Sequence, residues 1–312
     1  MSAFVIVNPQ SGGGRTGREW PDIERALRDA YPGMAVAMTS RRGEATALVR
    51  TALGEGHQEF VAIGGDGTIN EVVNGFFDAT GPIAPDAVLG IVTSGTGGDF
   101  RKTFGVDAGY APAIARLKTA RPRPIDIGRL SCLTMSGEPC IRYFANIASV
   151  GISGVIVDRV NRARIAKLFG GQFAFAFHSA RTMLTYRDHM VRIRSDHGFD
   201  EVAAISTLAV ANGQYFGGGM RVAPNASPDD GQFDVIVMGG ANRRQALANM
   251  KQMYTGEHLN NPAVRALRGT KIMAAPVAET KGKPVLIEVD GESAGQLPAT
   301  FEILPRALNL RC

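Results

Sequence analysis

The first third of the chain alternates short apolar runs with stretches in which apolar residues recur every three or four positions. Four of the runs predict buried β-strands: 3–8, 34–39, 59–64 and 87–92. Between them the spacing is helical, as at Ile69, Val72 and Val73. Strand–helix alternation of this kind predicts a parallel sheet with helices on both faces.

From about residue 127 the pattern changes to strand-like segments at hairpin spacing. They are IRYFANIAS, MVRIRS, VAAISTLAVAN, QFDVIVM and KPVLIEVDGE. Helical patterns occur at about 156–187 and 241–256, and a last strand at 300–305 could pair with either half. We therefore expect two domains. The first is α/β, at 1–128 and completed by 299–312, and the second is mainly antiparallel and β-rich, at 129–298.

Composition narrows the class of protein. The chain has 312 residues, of which 45% are hydrophobic and 20% charged, which fits a globular protein with a substantial core. Lys and Arg number 34 against 29 Asp and Glu, so the net charge of +5 favours anionic partners. No apolar stretch approaches ~20 residues, and the three cysteines lack metal-site spacing. We expect a cytoplasmic protein that binds no nucleic acid, because the basic residues form no stripe and Trp and Tyr are scarce.

Three glycine-rich turns, at 9–14, 64–68 and 94–98, each follow a predicted strand. In parallel α/β sheets, ligands gather at the carboxyl ends of the strands. The second turn, GGDGT, contains neither the GxxxxGK[ST] nor the GxGxxG pattern. Its first two glycines would let the backbone approach a phosphate, and Gly67 would adopt dihedral angles unfavourable to other residues. Thr68 lies at a helix start, where free N–H groups attract anions.

The carboxylate of Asp66 is unexpected beside a phosphate, since the two repel each other. A Mg²⁺ ion between them would turn the repulsion into attraction. The alternative is that Asp66 caps the helix that follows it. The third turn continues with Asp99, Arg101 and Lys102. Asp99 could share the metal and the two basic residues could contact phosphate. The alternative is a solvated turn that opens a helix.

Two further segments offer candidate groups. Asn8, Ser11 and Arg15 of the first turn could contact a nucleotide. The VDGE segment at 289–292 contains Asp-Gly, a strong hairpin signal, so it is either a plain turn or one that presents Glu292 as a general base.

Together these segments resemble the diacylglycerol kinase catalytic family, which includes bacterial lipid kinases and the sphingosine and ceramide kinases. The resemblance rests on NPQSGGGR, GGDGTINEVVNG, SGTGGDF, PIDIGRL, ANGQYFGGGMRVAPNASPDDGQFDV and VDGE, in that order. It implies a phosphofructokinase/NAD-kinase-like three-layer α/β domain, a β-rich lipid-substrate domain, and ATP bound between them. The implied reaction is transfer of the γ-phosphate of ATP to a hydroxyl of diacylglycerol or of a related lipid such as ceramide or a sphingoid base.

The resemblance also implies roles for individual residues. Asp66 and Asp99 would hold the catalytic Mg²⁺, Asp126 would be the active-site aspartate, and Glu292 would be the base. Asp230 and Gln232 would form a structural Mg²⁺ site. The nucleotide would contact the following residues: Asn8, Ser11, Arg15, Thr39, Gly64, Gly65, Gly67, Thr68, Thr93, Ser94, Gly95 and Thr96. Two positions depart from the pattern, because Gly98 replaces an Asn and Gly13 stands where several members have a Lys.

The acceptor side is the least defined by sequence. Residues 159–187 combine arginines with Phe169, Phe173 and Phe177 at helical spacing, which predicts either an interfacial helix at an anionic membrane surface or a core helix. An edge strand of the β-rich domain could mediate a homodimer. Two other functions remain open: an NAD kinase, for which Asn70-Glu71 would be the expected Asn-Glu pair, and a non-catalytic nucleotide-binding protein.

Overall fold

The computed structural model describes residues 3–93, 98–162, 182, 185–240, 251–277 and 284–312. It divides into two compact units, one formed by residues 1–127 with 304–312 and the other by 128–303. The predicted boundaries at 128/129 and 298/299 lie within a few residues of this division.

The first unit is a parallel sheet with helices on both sides. Its strands are β1 (Phe4–Val7), β2 (Ala35–Met38), β3 (Glu59–Gly64) and β4 (Val88–Thr93). Its helices are α1 (Ser11–Ala30), α2 (Glu44–Gly54), α3 (Asp66–Gly75), α4 (Asp99–Thr103) and α5 (Tyr110–Thr119). The last three residues of β15 (Glu292–Arg311) pair with β4, which gives the parallel order β2-β1-β3-β4-β15.

Alternate residues of the sheet face the two helical layers. Val5 and Val61 pack with Leu27 of α1 and Leu117 of α5 on one side. On the other side the ring of Phe60 contacts that of Phe76, at 5.1 Å between centroids, just beyond α3. The α/β prediction is therefore confirmed, with the strands within one residue of their predicted ends.

The second unit is almost entirely antiparallel. Its remaining strands are β5 (Arg123–Leu133), β6 (Pro139–Phe144), β7 (Ile147–Gly151), β8 (His189–Ser195), β9 (Asp200–Ile205), β10 (Thr207–Ala211), β11 (Phe233–Met238), β12 (Arg265–Gly269), β13 (Lys271–Pro276) and β14 (Leu286–Val289). One path runs β12-β11-β10-β7-β14-β15, and another continues from β15 through β13 and β8 to β9. The strands β5 and β6 form a hairpin whose first strand also pairs with β15.

Two predictions about single segments are refined. The last strand pairs in both units, since Lys271 lies opposite Glu302 and Asn309 opposite Val88. The segment IRYFANIAS is two strands instead of one, because β6 ends before Asn146 and β7 begins after it. The structure describes the first part of the helix predicted at about 156–187 as α6 (Ile152–Arg162). Most of the rest of that predicted range, like most of 241–256, lies outside the described residues.

Candidate active site

The first and second glycine-rich turns are joined by side-chain hydrogen bonds at the carboxyl ends of β1 and β3. The side-chain amide of Asn8 donates to Thr68 Oγ1 at 3.0 Å. The Ser11 hydroxyl lies 3.4 Å from the same oxygen and accepts the Gly65 N–H at 3.2 Å. Four of the predicted nucleotide-contacting residues therefore form one cluster at the edge where parallel sheets bind ligands.

The glycines of these turns have different physical roles. Gly12, Gly13 and Gly14 have φ of 62°, 67° and 82°, a left-handed run that only glycine adopts readily. At Gly64 a Cβ would lie 2.5 Å from Thr68 Oγ1, so the close approach is to Thr68 itself. The prediction of unusual dihedral angles at Gly67 is wrong, since Gly67 lies in the first turn of α3 and its φ is not positive.

Asp66 binds the start of the next helix along the chain. Its Oδ2 accepts the N–H of Asp99 at 3.1 Å, and its Oδ1 accepts that of Phe100 at 3.4 Å. The alternative in which Asp66 caps its own helix is wrong, because the N-cap of α3 is Gly65 and no side chain caps it. A carboxylate at a helix start is stabilised by the N–H groups and the helix dipole.

The two aspartates lie close enough to influence each other. Burial raises the pKa of Asp66, and the charge of Asp99 raises it further, against the lowering effect of the two N–H groups. Asp99 is buried and pairs with Lys102 Nζ at 2.8 Å. Of the basic pair predicted to meet phosphate, Lys102 thus contacts Asp99, while Arg101 donates to the Val106 carbonyl at 2.6 Å.

Gly98, which stands where the family pattern has Asn, has a backbone conformation that Asn can also adopt. Gly98 has φ 56° and ψ 43°, the left-handed conformation in which Asn is the next best residue after glycine. The exchange of Asn for Gly therefore removes a side-chain amide but keeps the entry into α4.

The remaining predicted nucleotide contacts of the first unit are placed as follows. Arg15 is exposed and pairs with Glu19 at 2.7 Å, one turn along α1. The Thr39 hydroxyl, at the end of β2, lies 3.4 Å from the Val7 carbonyl. Thr93 Oγ1, at the end of β4, is buried and has no hydrogen-bond partner among the described residues. Ser94, Gly95 and Thr96 lie outside the described residues.

Asp126 is fully buried on β5 and binds a residue far along the chain. Its Oδ1 accepts the backbone N–H of Arg306 at 2.7 Å. Arg306 has φ 52°, a conformation that is strained for a residue other than glycine and is held here by this hydrogen bond. Asp126 therefore holds the path of β15 as it reaches β4.

Glu292 begins β15 directly after a two-residue hairpin turn. Val289 lies opposite Glu292, and the turn residues Asp290 and Gly291 have φ of 49° and 84°. Two positive φ values are typical of the type I′ turn that Asp-Gly favours, so the predicted hairpin is confirmed. The Glu292 side chain is half-buried.

Asp290, which the sequence indicated only as a turn residue, anchors this hairpin. Its carboxylate accepts three successive backbone N–H groups, from Ala145, Asn146 and Ile147, at 3.0–3.1 Å. These bonds explain the break between β6 and β7, because the N–H groups there turn to a side chain. Glu288 adds a second anchor by accepting the Gly291 N–H at 2.8 Å. The signal in the sequence was the Asp of DG, but its partners lie about 145 positions away.

The predicted structural metal site at the PDDGQ turn has a guanidinium beside it. Asp230 accepts the Gln232 N–H at 3.1 Å and pairs with Arg268 Nη2. Arg268 Nε also lies 3.5 Å from Asp234, a buried residue of β11. Burial raises the pKa of Asp234, and Arg268 opposes that rise. The residues around the turn therefore fit an ion pair better than a bound divalent cation.

The carboxylates of the first unit leave room for a cation that shares its ligands with a bound phosphate. Among the residues that the structure describes, no three His, Cys, Asp or Glu side chains lie together in a way that could hold a metal ion. Asp66 and Asp99 are two adjacent carboxylates, which is the number that Mg²⁺ commonly takes when phosphate oxygens and water complete its shell. They fit a cation that arrives with a phosphorylated ligand.

A parallel α/β unit whose glycine-rich turns gather at the ends of its strands is typical of phosphate-binding, nucleotide-using proteins. Comparison with known proteins agrees with this class. The family model of the diacylglycerol kinase catalytic domain matches residues 2–130, and the YegS C-terminal NAD kinase beta sandwich-like domain matches 146–312.

Individual relatives cover nearly the whole chain. A diacylglycerol kinase of Staphylococcus haemolyticus (strain JCSC1435) is 30% identical over 99% of this chain and 87% of its own length. A crystal structure from Bacillus anthracis str. Sterne, provisionally described as a diacylglycerol kinase, has a TM-score of 0.78 at 23% identity and covers 99% and 94% of the two chains. Yeast NADH kinase has a TM-score of 0.53 at 13% identity, covering 99% of this chain and 82% of that one, and shares the fold.

The chain therefore belongs to the diacylglycerol kinase catalytic-domain family. At the level of the family it is a lipid kinase, and the family implies the use of ATP.

Proposed function

We propose that this protein transfers the γ-phosphoryl group of ATP to the hydroxyl of a lipid, either diacylglycerol or a related lipid such as ceramide or a sphingoid base. The observation that carries the proposal is the cluster in which Ser11 and Thr68 join two glycine-rich turns, with Asp66 beside it on α3. Phosphoryl transfer depends mainly on positioning and charge neutralisation, which backbone N–H groups and a metal at such a cluster would provide.

The nucleotide phosphates would lie against the glycine run at 12–14 and the start of α3. The bonds from Asn8 and Ser11 hold the two turns in register, so their N–H groups do not need to be ordered when the ligand binds. Thr93, whose buried hydroxyl lacks a partner among the described residues, is a further candidate contact. The preformed cluster supports binding because less conformational entropy is lost on association.

We propose Asp66 and Asp99 as the carboxylates that hold Mg²⁺ when the nucleotide is bound. Bound Mg²⁺ supplies positive charge that offsets the charge on the transferring phosphoryl group. Asp66 stays oriented by the N–H groups of Asp99 and Phe100, and Lys102 adds a positive charge 2.8 Å from Asp99. Burial and, after it, the charge of Asp99 raise the pKa of Asp66. The second effect supports this assignment, because two close carboxylates favour a cation between or beside them.

In the proposed reaction Glu292 accepts the proton of the lipid hydroxyl. A general base must be held in a fixed orientation. Asp290 lies two positions before Glu292, and its bonds to backbone N–H groups restrain the turn that leads into Glu292. Asp126 orders the strand that carries Glu292 further along, through its bond to Arg306.

The NAD kinase alternative has less support in the structure. The Asn-Glu pair expected for a dinucleotide site is Asn70-Glu71, within α3. Glu71 Oε1 accepts the Gly43 N–H at 2.8 Å and Oε2 accepts the Ala45 N–H at 3.3 Å, so this carboxylate caps the start of α2. Asn70 is buried, and its backbone carbonyl and its Oδ1 both accept from the side-chain amide of Asn74, at 2.8 and 3.3 Å. Glu71 is thus committed to the contact between α3 and α2, while the contact of Asn70 lies within α3.

We further propose that the protein reaches its acceptor by peripheral contact with an anionic membrane surface. Within the described part of the chain, no helix combines the length and apolar character needed to cross a membrane. The net charge of +5 supports attraction to anionic headgroups. In the segment proposed for this contact, Arg164, Arg181 and Phe169 lie outside the described residues. A homodimer through an edge strand stays a prediction.

A panel of acceptors separates these functions. The purified chain, labelled ATP and Mg²⁺ are combined with diacylglycerol, ceramide, sphingosine or NAD, and labelled product is extracted. We expect labelled lipid with at least one lipid acceptor and none when Mg²⁺ is chelated. Labelled NADP in preference to labelled lipid would establish the NAD kinase alternative, and no transfer to any acceptor would favour a non-catalytic nucleotide-binding protein.

A further inference from the structure

Two of the three cysteines lie directly opposite each other in the β5–β6 hairpin. Cys132 and Cys140 are register partners, and their sulfur atoms are 3.2 Å apart. Both thiols are reduced, and both lie close to the Ala294 carbonyl oxygen, at 3.9 and 3.8 Å. This pair plays no part in the proposed phosphoryl transfer.

The backbone around the pair has dimensions suited to a covalent link. The Thr134 N–H donates to the Glu138 carbonyl at 2.7 Å, so residues 134 and 138 form a hydrogen-bonded pair. Such pairs alternate along antiparallel strands, which makes Cys132 and Cys140 a pair of the same kind, with Cα atoms about 5.5 Å apart. Disulfides span Cα distances of roughly 4.4–6.8 Å, so a pair of this kind lies within the range that a disulfide can bridge.

The two thiols differ in environment. Cys140 is half-exposed, while Cys132 is buried. Burial, followed by the hydrogen bond to Cys140, raises the pKa of Cys132 to about 12. Cys132 therefore stays protonated at neutral pH, and Cys140 is the thiol that meets a reagent first. Ser131, Cys132 and Leu133 also line a cavity of about 360 Å³ in the second unit.

We propose that Cys132 and Cys140 form a reversible thiol–disulfide site, closed by a peroxide. The Cys140 sulfur attacks the peroxide, so that an S–O bond forms and the O–O bond breaks. The displaced oxygen leaves as water after taking the thiol proton. The Cys132 sulfur then attacks the oxidised sulfur of Cys140, the S–S bond forms and the S–O bond breaks. A second water leaves with the Cys132 proton. Two thiols lose two electrons in total and the peroxide gains them.

Formation of the Cys132–Cys140 disulfide would affect β15 locally. The sulfurs would move together, and neither could donate to Ala294, two residues after Glu292. Gly295 is packed so closely that an added Cβ would lie 2.2 Å from the Leu133 carbonyl oxygen and 3.1 Å from the Cys132 sulfur. We therefore expect formation of the disulfide to shift the backbone of β15 near Gly295.

The test uses the reduced full chain and hydrogen peroxide. The protein is treated while folded, denatured with a thiol reagent present, and mapped as peptides without reduction. We expect the thiol count to fall from three to one, with a mass about 2 Da lower, a linked peptide pair containing Cys132 and Cys140, and recovery of three thiols on reduction.

Single variants provide matched controls. Cys312→Ser should lose both remaining thiols to the same linked pair, because Cys312 lies in the first unit. Cys140→Ser should keep Cys132 as a thiol at the same peroxide dose. The proposal is overturned if wild-type protein keeps three thiols, if Cys140 accumulates oxygen without a link to Cys132, or if the linked peptide contains Cys312.

Discussion

The backbone N–H of Asp99 donates to the Asp66 carboxylate at 3.1 Å, although the two residues are 33 positions apart. This bond links Asp66 of the second glycine-rich turn to the first residue of α4. The same carboxylate is our candidate Mg²⁺ ligand, so structure and activity should respond together when it is changed.

Replacing Asp66 by Asn should reduce both stability and turnover. An amide has one acceptor oxygen and would present an NH₂ group to one of the two N–H donors. We expect a loss of about 1–3 kcal/mol in the free energy of unfolding, measured by thermal or chemical denaturation. Lipid phosphorylation should fall because one charge of the proposed metal site is removed.

Asp22→Asn is the control for this variant, since Asp22 is an exposed partner of Arg25 on α1. Exposed pairs contribute about 0–1 kcal/mol, so its denaturation curve should be close to that of wild type. An Asp66→Asn protein as stable as the control would show that the contact to α4 contributes nothing.

Replacing Glu292 by Gln should abolish the chemical step and spare nucleotide binding. Loss of a general base lowers the rate by about 100- to 10,000-fold, while the amide keeps the size of the side chain. Turnover is measured with the lipid accepted by wild type, and ATP affinity by calorimetry. A near-normal rate would show that Glu292 is not the base.

Replacing Asp290 by Asn should displace Glu292 indirectly. Three N–H groups now bond to one carboxylate, and an amide oxygen cannot accept all of them. We expect the melting temperature to fall by several degrees, corresponding to about 1–3 kcal/mol, and kcat to fall with KM for ATP unchanged. Asp200→Asn, on an exposed strand with Arg192, should alter neither kcat nor KM. Normal kcat in a destabilised Asp290→Asn protein would limit Asp290 to a structural role.

Arg268 should serve as the cation of the PDDGQ turn. Chelation of divalent ions should leave the melting temperature of the wild-type protein unchanged in the absence of nucleotide. Arg268→Ala should lower stability by about 1 kcal/mol, because Asp234 is buried and loses its counter-charge. Arg265→Ala is the control, because Arg265 lies nearby on the same strand and forms an exposed ion pair with Glu201. A fall in the wild-type melting temperature on chelation would restore the metal interpretation.

His258 should make the protein less stable in acid. It is fully buried, its Nε2 lies 2.9 Å from the Val222 carbonyl, and burial lowers its pKa below 6.5. The unfolded chain then binds a proton more readily than the folded one, so stability is intact above the unfolded pKa and declines as pH falls below it. Melting temperatures at several pH values should show a shallower acid decline for His258→Gln than for wild type. The exposed variant His197→Gln should retain the wild-type slope, and a His258→Gln protein that does the same would exclude this residue as the cause.

Local sequence was sufficient for much of the fold. The four strands of the first unit and the turn at Asp290 and Gly291 follow from apolar runs, helical spacing and the preference of Asp-Gly for positive φ. Where a predicted strand was interrupted, a distant group decided the outcome. Asn146 interrupts a predicted strand because its N–H donates to Asp290, 144 positions later.

The candidate site shows the same division. Residue types and spacing determined which side chains could carry the chemistry, because glycine-rich turns after buried strands, with Asp and Thr at helix starts, are local patterns. Only the tertiary structure decided their partners. Asp66 accepts N–H groups of α4, Asp126 accepts that of Arg306, and Glu71 accepts that of Gly43 at the start of α2. The physical reason is that a carboxylate takes whichever donors packing brings within about 3 Å. That choice depends on how strands and helices assemble and is not encoded in neighbouring residues.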